Sequence, residues 1–382
     1  MLYYLANILW DDEDIQDRMP LDFKAARYRV KHICNAYKGN IIIVSEGEGK
    51  VKKKFDAYKK SINEKIKIYY LDYFNNSKLK RLASIYTLTK YLFKNVKDGD
   101  SILSYNAAPV QSISMAIFRL SFRNVRIDIE FEEFHRVENN YIRNFMMSIG
   151  ELIGIVIADR FIVANDNMMR KINRLKLFKK ANIISSYGYL NSNIQSNMVL
   201  NNNTYNLKPC ILYSGRMDDV GGIDIFIDAL KIININCEVI ITGKCPEIIG
   251  EKLNCLSNKH SIQLVGYLDD TSYLRLLTRE CICISSLKES TSFSKYSFPS
   301  KVLQYLQTGN VVVSSNVSSI NKLQCLEEYL YIYKNDDPKE MAMQIEKAYY
   351  KVNKTRKVEI IEKTADFFKN DERKLFEFLN NL

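Results

Sequence analysis

The segment Tyr296-Ser-Phe-Pro-Ser-Lys-Val-Leu-Gln-Tyr-Leu-Gln-Thr-Gly309 puts a lysine where a lysine is electrostatically out of place. Pro299 falls where a helix would begin and Gly309 just past its end, the usual asymmetry of helix termini. Val302, Leu303 and Leu306 supply the apolar stripe. Ser300 and Lys301 therefore lie in the first turn, where unpaired backbone N–H groups point outward and the helix dipole disfavours a cation. A phosphate between the ammonium and those N–H groups would remove the conflict. The bland alternative is a capped helix with its lysine in water.

A second segment, Tyr213-Ser-Gly-Arg-Met-Asp-Asp-Val-Gly-Gly222, runs from a strand through a loop into a helix. Gly215 would let backbone approach a ligand closely, and the planar fork of Arg216 suits a diphosphate. Gly221 and Gly222 precede a further helix N-terminus. In Val265-Gly-Tyr-Leu268, Gly266 and Tyr267 could hold a flat base; by itself such a sequence is more often a strand end. In the N-terminal half, Asp128-Ile-Glu-Phe-Glu-Glu-Phe-His135 places several carboxylates and a histidine at the end of a strand. Glu132, Glu133 or His135 could orient a hydroxyl or take its proton; the competing reading is a solvated loop. His32, on a helix, and His260, in a loop, carry no such pattern.

The elements holding these residues alternate. Apolar strands at Cys210–Ser214, Glu238–Thr242, Ser261–Val265, Cys281–Ser285 and Val311–Ser314 are separated by helical patterns at Asp224–Ile233, Leu274–Leu277 and Lys301–Gln307. The N-terminal half repeats the rhythm with strands at Leu2–Leu5, Ile41–Val44, Ile66–Leu71, Ser101–Ser104, Val125–Ile129 and Arg160–Val163. Near-continuous apolar strands with helices between them imply parallel sheets covered on both faces. Asn191–Leu207, rich in Asn and Ser, reads as a linker. The expected fold is α/β, with two doubly wound Rossmann-like domains facing across a cleft at the carboxyl ends of their strands. The boundaries are about 1–200 and 205–340, with charged helices at 341–382 returning to the first domain.

Composition limits the classes. The 382 residues are 47% hydrophobic, enough for more than one core. Eight cysteines lack any repeated spacing and read as free thiols in a reducing compartment. No secretory leader is evident, because Trp10 is followed at once by four acidic residues. The apolar stretch from Met146 to Ala164 contains Glu151, Asp159 and Arg160, which makes it a poor spanning helix. The formal net charge is +11, with eight lysines between Lys50 and Lys67. That stretch reads first as a solvated helix face and second as a surface for an anionic membrane leaflet. No nucleic-acid-binding motif accompanies it.

The strings YSGRMDDVGGIDIFIDAL, ITGKCPE, IQLVGYLDDTSYLRLL and SFPSKVLQYLQTGNVVVSS resemble, in order and spacing, the donor-binding domain of retaining GT-B glycosyltransferases, group 1 or family-4-like. The likeness is greatest to bacterial enzymes of capsular, exopolysaccharide and O-antigen synthesis, and covers roughly residues 208–320. The resemblance implies that Arg216 and Lys301, with Ser300, hold the diphosphate of a UDP- or GDP-sugar. Gly215 would face the phosphates, Gly266 and Tyr267 would line the base pocket, and Lys244 would add a cation. It implies no cofactor and no required metal, an acceptor that is a glycan or lipid-linked glycan, and a cytoplasmic enzyme peripheral on the inner membrane face. Three positions depart from the family. Gln304 stands where a Glu often binds the ribose, with Tyr296 in place of that pattern's first Glu, and Gly221 stands where a lysine is often found. The departures leave open a non-catalytic sugar-nucleotide binder; a GT-B-like nucleotide-sugar epimerase is the other alternative.

Overall fold

The computed structural model describes residues 1–10, 24–46, 56–72, 80–134, 140–176, 181–187, 209–279, 281–352 and 357–381. The chain divides into two compact units, Met1–Tyr189 with Asp371–Leu382, and Leu190–Asn370.

The N-terminal unit holds strands β1 (Leu2–Leu5), β2 (Ile41–Ser45), β3 (Tyr58–Ser61), β4 (Ile66–Tyr70), β5 (Ser101–Tyr105), β6 (Arg126–Phe131), β7 (Arg160–Val163) and β8 (Asn182–Ser185). They form one sheet in the order β3-β4-β2-β1-β5-β6-β7-β8, parallel throughout except for the β3–β4 pair. Its helices are α1 (Lys24–Ala36), α2 (Lys80–Asn95), α3 (Pro109–Ser121), α4 (Tyr141–Ile157) and α5 (Asp166–Leu175). Leaving β1, the chain moves first toward one edge of the sheet and, after β4, toward the other. Right-handed crossovers then put α1 on one face and α2, α3, α4 and α5 on the opposite one. Ala26, Val30 and Ile33 of α1 share a core with Leu2, Tyr4, Ile43 and Ile68, and with Leu375, Phe378 and Leu379 near the C-terminus.

The C-terminal unit holds β9 (Cys210–Ser214), β10 (Glu238–Thr242), β11 (Ser261–Gly266), β12 (Cys281–Ser285), β13 (Val311–Ser315) and β14 (Leu330–Tyr333). The strands are all parallel, in the order β11-β10-β9-β12-β13-β14. Between them run α6 (Ile223–Ile232), α7 (Glu247–Asn254), α8 (Asp270–Leu277), α9 (Ser300–Gln307) and a 3-10 segment, Ile320–Tyr329. After β14 come α10 (Pro338–Val352) and α11 (Lys357–Asn380), whose last residues belong to the N-terminal unit.

Two doubly wound parallel sheets are therefore present, and most strands fall where alternation of apolar runs puts them. The lysine-rich stretch corrects its expectation. Its described part is not a helix face but the edge hairpin β3–β4, where Tyr58 stacks on Tyr70 with ring centroids 4.7 Å apart. Charge on an edge strand blocks pairing with another sheet, so the lysines serve there without helical periodicity. Residues 50–55 and the linker 191–207 lie outside the described residues. Among the described residues, no helix is long and apolar enough to cross a membrane.

The N-terminal core contains a charged group at its centre. Arg29 of α1 is fully buried, and its Nε donates to Glu130 Oε1 at 2.5 Å and lies 3.0 Å from Glu132 Oε1. Tyr4 of β1 donates to the other oxygen of Glu130 at 2.6 Å. Ser186 accepts from Arg29 and donates to Asp371 of α11. Removing the cation strands a buried carboxylate, so Arg29→Met should lower the unfolding free energy of this unit by about 3–5 kcal/mol. Urea unfolding followed by circular dichroism measures it; a loss within error of zero would mean that Glu130 is satisfied without Arg29.

Candidate active site

Parallel strands deliver every following loop to one end of the sheet, so β9, β10 and β11 end side by side, and three glycines sit at those ends. Gly243 has φ +119°, and its amide donates to the Gly266 carbonyl at 2.8 Å. A Cβ on Gly243 would lie 2.9 Å from the carbonyl oxygen of Gly215, a spacing real side chains do not adopt. Gly266 has φ +67° with open space around its absent side chain. The strand ends thus present bare backbone, which is what a closely held ligand requires.

Helix α9 points its N-terminus at this surface. Pro299 is its N-cap rather than its first residue, and no side chain caps the turn. Val302, Leu303, Tyr305 and Leu306 are buried and fix the helix, which leaves Ser300, Lys301 and, one turn on, Gln304 only partly covered. The Lys301 ammonium reaches inward: Nζ donates to the Ser214 carbonyl at 2.5 Å and lies 3.2 Å from where a Gly215 Cβ would be. Tyr305 also reaches that carbonyl, at 3.4 Å, and Thr242 donates to the Ser214 hydroxyl at 2.9 Å. Burial pushes the Lys301 ammonium down to about 8, and among the described residues no carboxylate opposes the shift. A desolvated cation with no carboxylate partner among the described residues, at an uncapped helix N-terminus, is an arrangement that could hold an anion.

The loop after β9 supplies a second cation in a different state. Arg216 is exposed and forks onto Asp218, with Nε and Nη2 at 2.9 and 2.5 Å from one carboxylate oxygen. To grip a ligand it must leave Asp218, an exchange the exposed pair permits at small cost. The loop itself is firmly held. The Tyr213 hydroxyl donates to the Arg216 carbonyl at 2.7 Å, and Ser286 donates to the Gly221 carbonyl at 2.7 Å.

Gly221 and Gly222 differ from their expected part as an anion-ready terminus. A Cβ on Gly222, at φ +67°, would lie 2.0 Å from the Ser286 carbonyl oxygen; one on Gly221 would lie 2.3 Å from that of Arg216. They are packing glycines that close the loop against β12. Lys288 already sits there, paired with Asp219 and Asp224. Lys244 is exposed beside Gly243, and the Tyr267 ring is 82% exposed at the end of β11.

In the N-terminal unit the acidic segment divides by strand alternation. Asp128 and Glu130 point into the protein, where Arg160 and Arg29 hold them, at 2.7 and 2.5 Å. Strand β6 extends to Phe131, two residues beyond the apolar run, because these carboxylates are paired. Glu132 and Glu133 follow at the carboxyl end of the sheet, and both backbone amides point to the Asn106 side-chain oxygen, at 3.0 and 3.4 Å. Burial, with Glu130 and Glu133 close by and against the pull of Arg29, pushes the Glu132 carboxyl up to about 8. A carboxyl poised near neutrality can exchange a proton with a hydroxyl. His135 lies outside the described residues. His32 and His260 are buried, and burial lowers both.

Sequence reasoning missed Arg29 and Asn106. Arg29 sits on the apolar face of α1 among Ala26, Val30 and Ile33, a position that itself announces a buried ion pair. Asn106, at φ +59° directly after β5, is a non-glycine in left-handed backbone, and its carbonyl accepts from Ser104 at 2.8 Å; only coordinates reveal that strain.

Residues 208–350 match the family profile described as glycosyl transferases group 1. No curated protein sequence matches the chain significantly. Solved structures are similar over the whole length. Sucrose-phosphate synthase of Thermosynechococcus elongatus superposes with a TM-score of 0.70 at 13% identity, covering 99% of this chain and 98% of that one. Anabaena HepE in complex with UDP and glucose gives 0.68 at 13%, with full coverage of both chains. WaaG, a glycosyltransferase involved in lipopolysaccharide biosynthesis, gives 0.63 at 10%, covering 99% of each. At such identities the superpositions establish the fold, which is GT-B, and the profile match establishes the C-terminal unit. The group 1 glycosyl transferase profile thus covers most of the C-terminal unit of a chain whose whole length has the GT-B fold.

Proposed function

We propose that the protein transfers a sugar from a nucleotide-diphosphate donor, UDP-linked in preference to GDP-linked, to a hydroxyl of a glycan or lipid-linked glycan, with retention of anomeric configuration. The observation that carries this reading is the desolvated Lys301 ammonium without a carboxylate partner, at the uncapped N-terminus of α9 over Gly215. The UDP complex of the structurally similar HepE favours the uridine nucleotide. Lys301, Ser300 and the α9 amides would take the diphosphate, with Arg216 released from Asp218 to close on it and Lys244 adding charge. These cations would stabilise the leaving diphosphate without a metal ion. Gly266 and Tyr267 would meet the base and Gln304 the ribose. Glu132, with Glu133 and His135, would orient the acceptor hydroxyl. We place the reaction in bacterial surface polysaccharide synthesis, in the cytoplasm at the inner membrane face. Gln304 also favours a second reading, a binder without turnover, because it replaces the carboxylate expected at the ribose.

Calorimetric titration tests the donor site. UDP should bind, and Lys301→Met should weaken it by about tenfold or more, the worth of a charge-assisted phosphate contact. Absence of binding by both UDP and GDP would end the proposal.

Lys301 also makes a stability prediction with a definite sign. Its folded value lies below the ordinary 10.5, so ligand-free protein should gain stability as pH rises from about 8 to 10.5. Lys301→Met should lose that rise and match or exceed wild-type Tm at neutral pH, while UDP near its wild-type Kd raises Tm less in the variant than in the wild type. A Tm well below wild type in the ligand-free variant would show Lys301 to be structural.

Glu132→Gln separates turnover from binding. UDP affinity should stay unchanged while sugar transfer falls by about 100-fold or more, the usual worth of a general base. As the deprotonated form is the active one, wild-type activity should climb with pH toward about 8. A variant with full activity would remove Glu132 from the chemistry.

A further inference from the structure

Helices α2, α3 and α4 lie side by side on one face of the N-terminal sheet, and their outer surface is unlike that of an ordinary soluble domain. Large apolar side chains stand out from all three: Leu82 and Tyr86 from α2, Leu120 from α3, and Tyr141, Ile142 and Phe145 from α4. Tyr141 and Ile142 are 84% and 81% exposed and Leu120 is 78% exposed, so these residues are not half-covered core. A spread of this kind over adjacent helices is a binding surface rather than scattered noise.

Its charge is one-sided. Helix α2 carries four basic residues and no acid, and α3 carries Arg119 and no acid. The one carboxylate of α4, Glu151, is buried and paired with Lys171 at 3.2 Å. Arg81, Lys90, Lys94 and Arg143 are exposed among the apolar groups, and the neighbouring α5 adds exposed Arg170 and Arg174 against Asp166. Asp98, Asp100 and Asp159 follow the C-terminal ends of α2 and α4. They therefore stand at the opposite end of the sheet from Arg81, Tyr86 and the Tyr141–Phe145 turn. Asp100 pairs with the N-terminal amine and Asp159 with Arg119.

We infer that this three-helix face, rather than the lysine-rich edge hairpin, docks on an anionic lipid bilayer. Cations interleaved with tyrosine, phenylalanine and aliphatic tips match a surface with phosphate headgroups outside and acyl chains beneath. A second copy of the chain is a poor occupant, since apposing two such faces would set like charges against each other. A nucleic acid would leave the aliphatic tips unsatisfied. In parallel βαβ units helix N-termini lie at the carboxyl ends of the strands, so Arg81, Tyr86 and Tyr141–Phe145 share the end of the sheet that carries Glu132. An acceptor hydroxyl displayed at a membrane would reach that end without leaving the bilayer surface. Only this last step rests on the transferase reading; the docking surface stands on the helices.

The full chain should co-sediment with phosphatidylglycerol-containing vesicles, bind phosphatidylcholine vesicles much less, and be released by salt. Tyr141→Ser/Ile142→Ser/Phe145→Ser and, separately, Arg81→Glu/Lys94→Glu should each weaken vesicle binding by about tenfold or more. Both should keep wild-type urea unfolding and UDP affinity. Wild-type protein that stays in solution with anionic vesicles would overturn the inference, as would the serine triple variant binding them undiminished. So would a wild-type dimer that the triple variant turns into a monomer, which would make the face a self-association surface. Vesicle binding without UDP binding would uphold the docking face while removing the transferase reading, so the two failures are distinguishable.

Discussion

A guanidinium cut off from water persists only where anions surround it, and the N-terminal unit is assembled around that requirement. Arg29 leaves α1 and meets Glu130 of β6 and Glu132 beyond it, while Tyr4 of β1 takes the far oxygen of Glu130. Through Ser186 the same guanidinium is linked to Asp371, which draws the C-terminal helix into this unit. Apolar burial supplies most of the stability of such a core. It is indifferent to register, however, whereas the ion pair is not: sliding β6 by one residue would turn Glu130 away from Arg29. The pair therefore selects the register that delivers Glu132 to the end of the sheet, and it helps set the charge state of that carboxyl.

Arg29 and Lys301 make an instructive contrast. Arg29 is surrounded by carboxylates contributed by the fold, so its desolvation is offset within the unit. Lys301 is also desolvated, but among the described residues its ammonium donates to a carbonyl oxygen and meets no carboxylate. A methionine would fill the same space without that cost, so the ammonium calls for compensation from outside the chain. The uncapped N-terminus of α9 and the bare glycine backbone at the ends of β9, β10 and β11 indicate where that compensation would sit. One cation is satisfied by carboxylates of its own unit; the other, among the described residues, is not.

That distinction was partly legible in the sequence. Position in a helix identified Lys301, because the periodicity of Val302, Leu303 and Leu306 fixes the first turn without coordinates, and the strand ends followed from apolar runs. What stayed hidden depends on partners far apart in the chain. Arg216 could be read as a fork for phosphate, but not as a fork already occupied by Asp218. Gly221 and Gly222 read as the approach to an anion-ready helix terminus, but both are packed against carbonyl oxygens, Gly221 on Arg216 and Gly222 on Ser286, the latter remote in sequence. Strand β3 was masked by charge: Lys59 and Lys60 suppress the apolar alternation that marks a strand, although Tyr58 packs on Tyr70 as a strand residue does. The basic face that matters was equally obscure, since lysine density points to the hairpin. Exposure of apolar side chains across three packed helices is a tertiary property.

The exchange of glutamate for Gln304, judged against the resemblance, has a consequence that follows from Lys301. A carboxylate one turn along α9, about 6 Å away, would attract the ammonium by something on the order of 1–3 kcal/mol at an effective dielectric constant near 20. It would thereby compete with a ligand phosphate for the same cation. Glutamine removes this competitor and leaves the ammonium wholly available to the diphosphate. On the other side, a neutral amide accepts a ribose hydroxyl less strongly than a carboxylate, by roughly the difference between neutral and charge-assisted hydrogen bonds, about 1 kcal/mol. The two changes have opposite signs and similar size. Overall affinity for a nucleoside diphosphate can therefore survive the substitution while its origin moves from the ribose to the phosphates. On the proposed reading, recognition would lean on the anion, which is the ligand feature that suits an uncapped helix and a lysine without a carboxylate among the described residues.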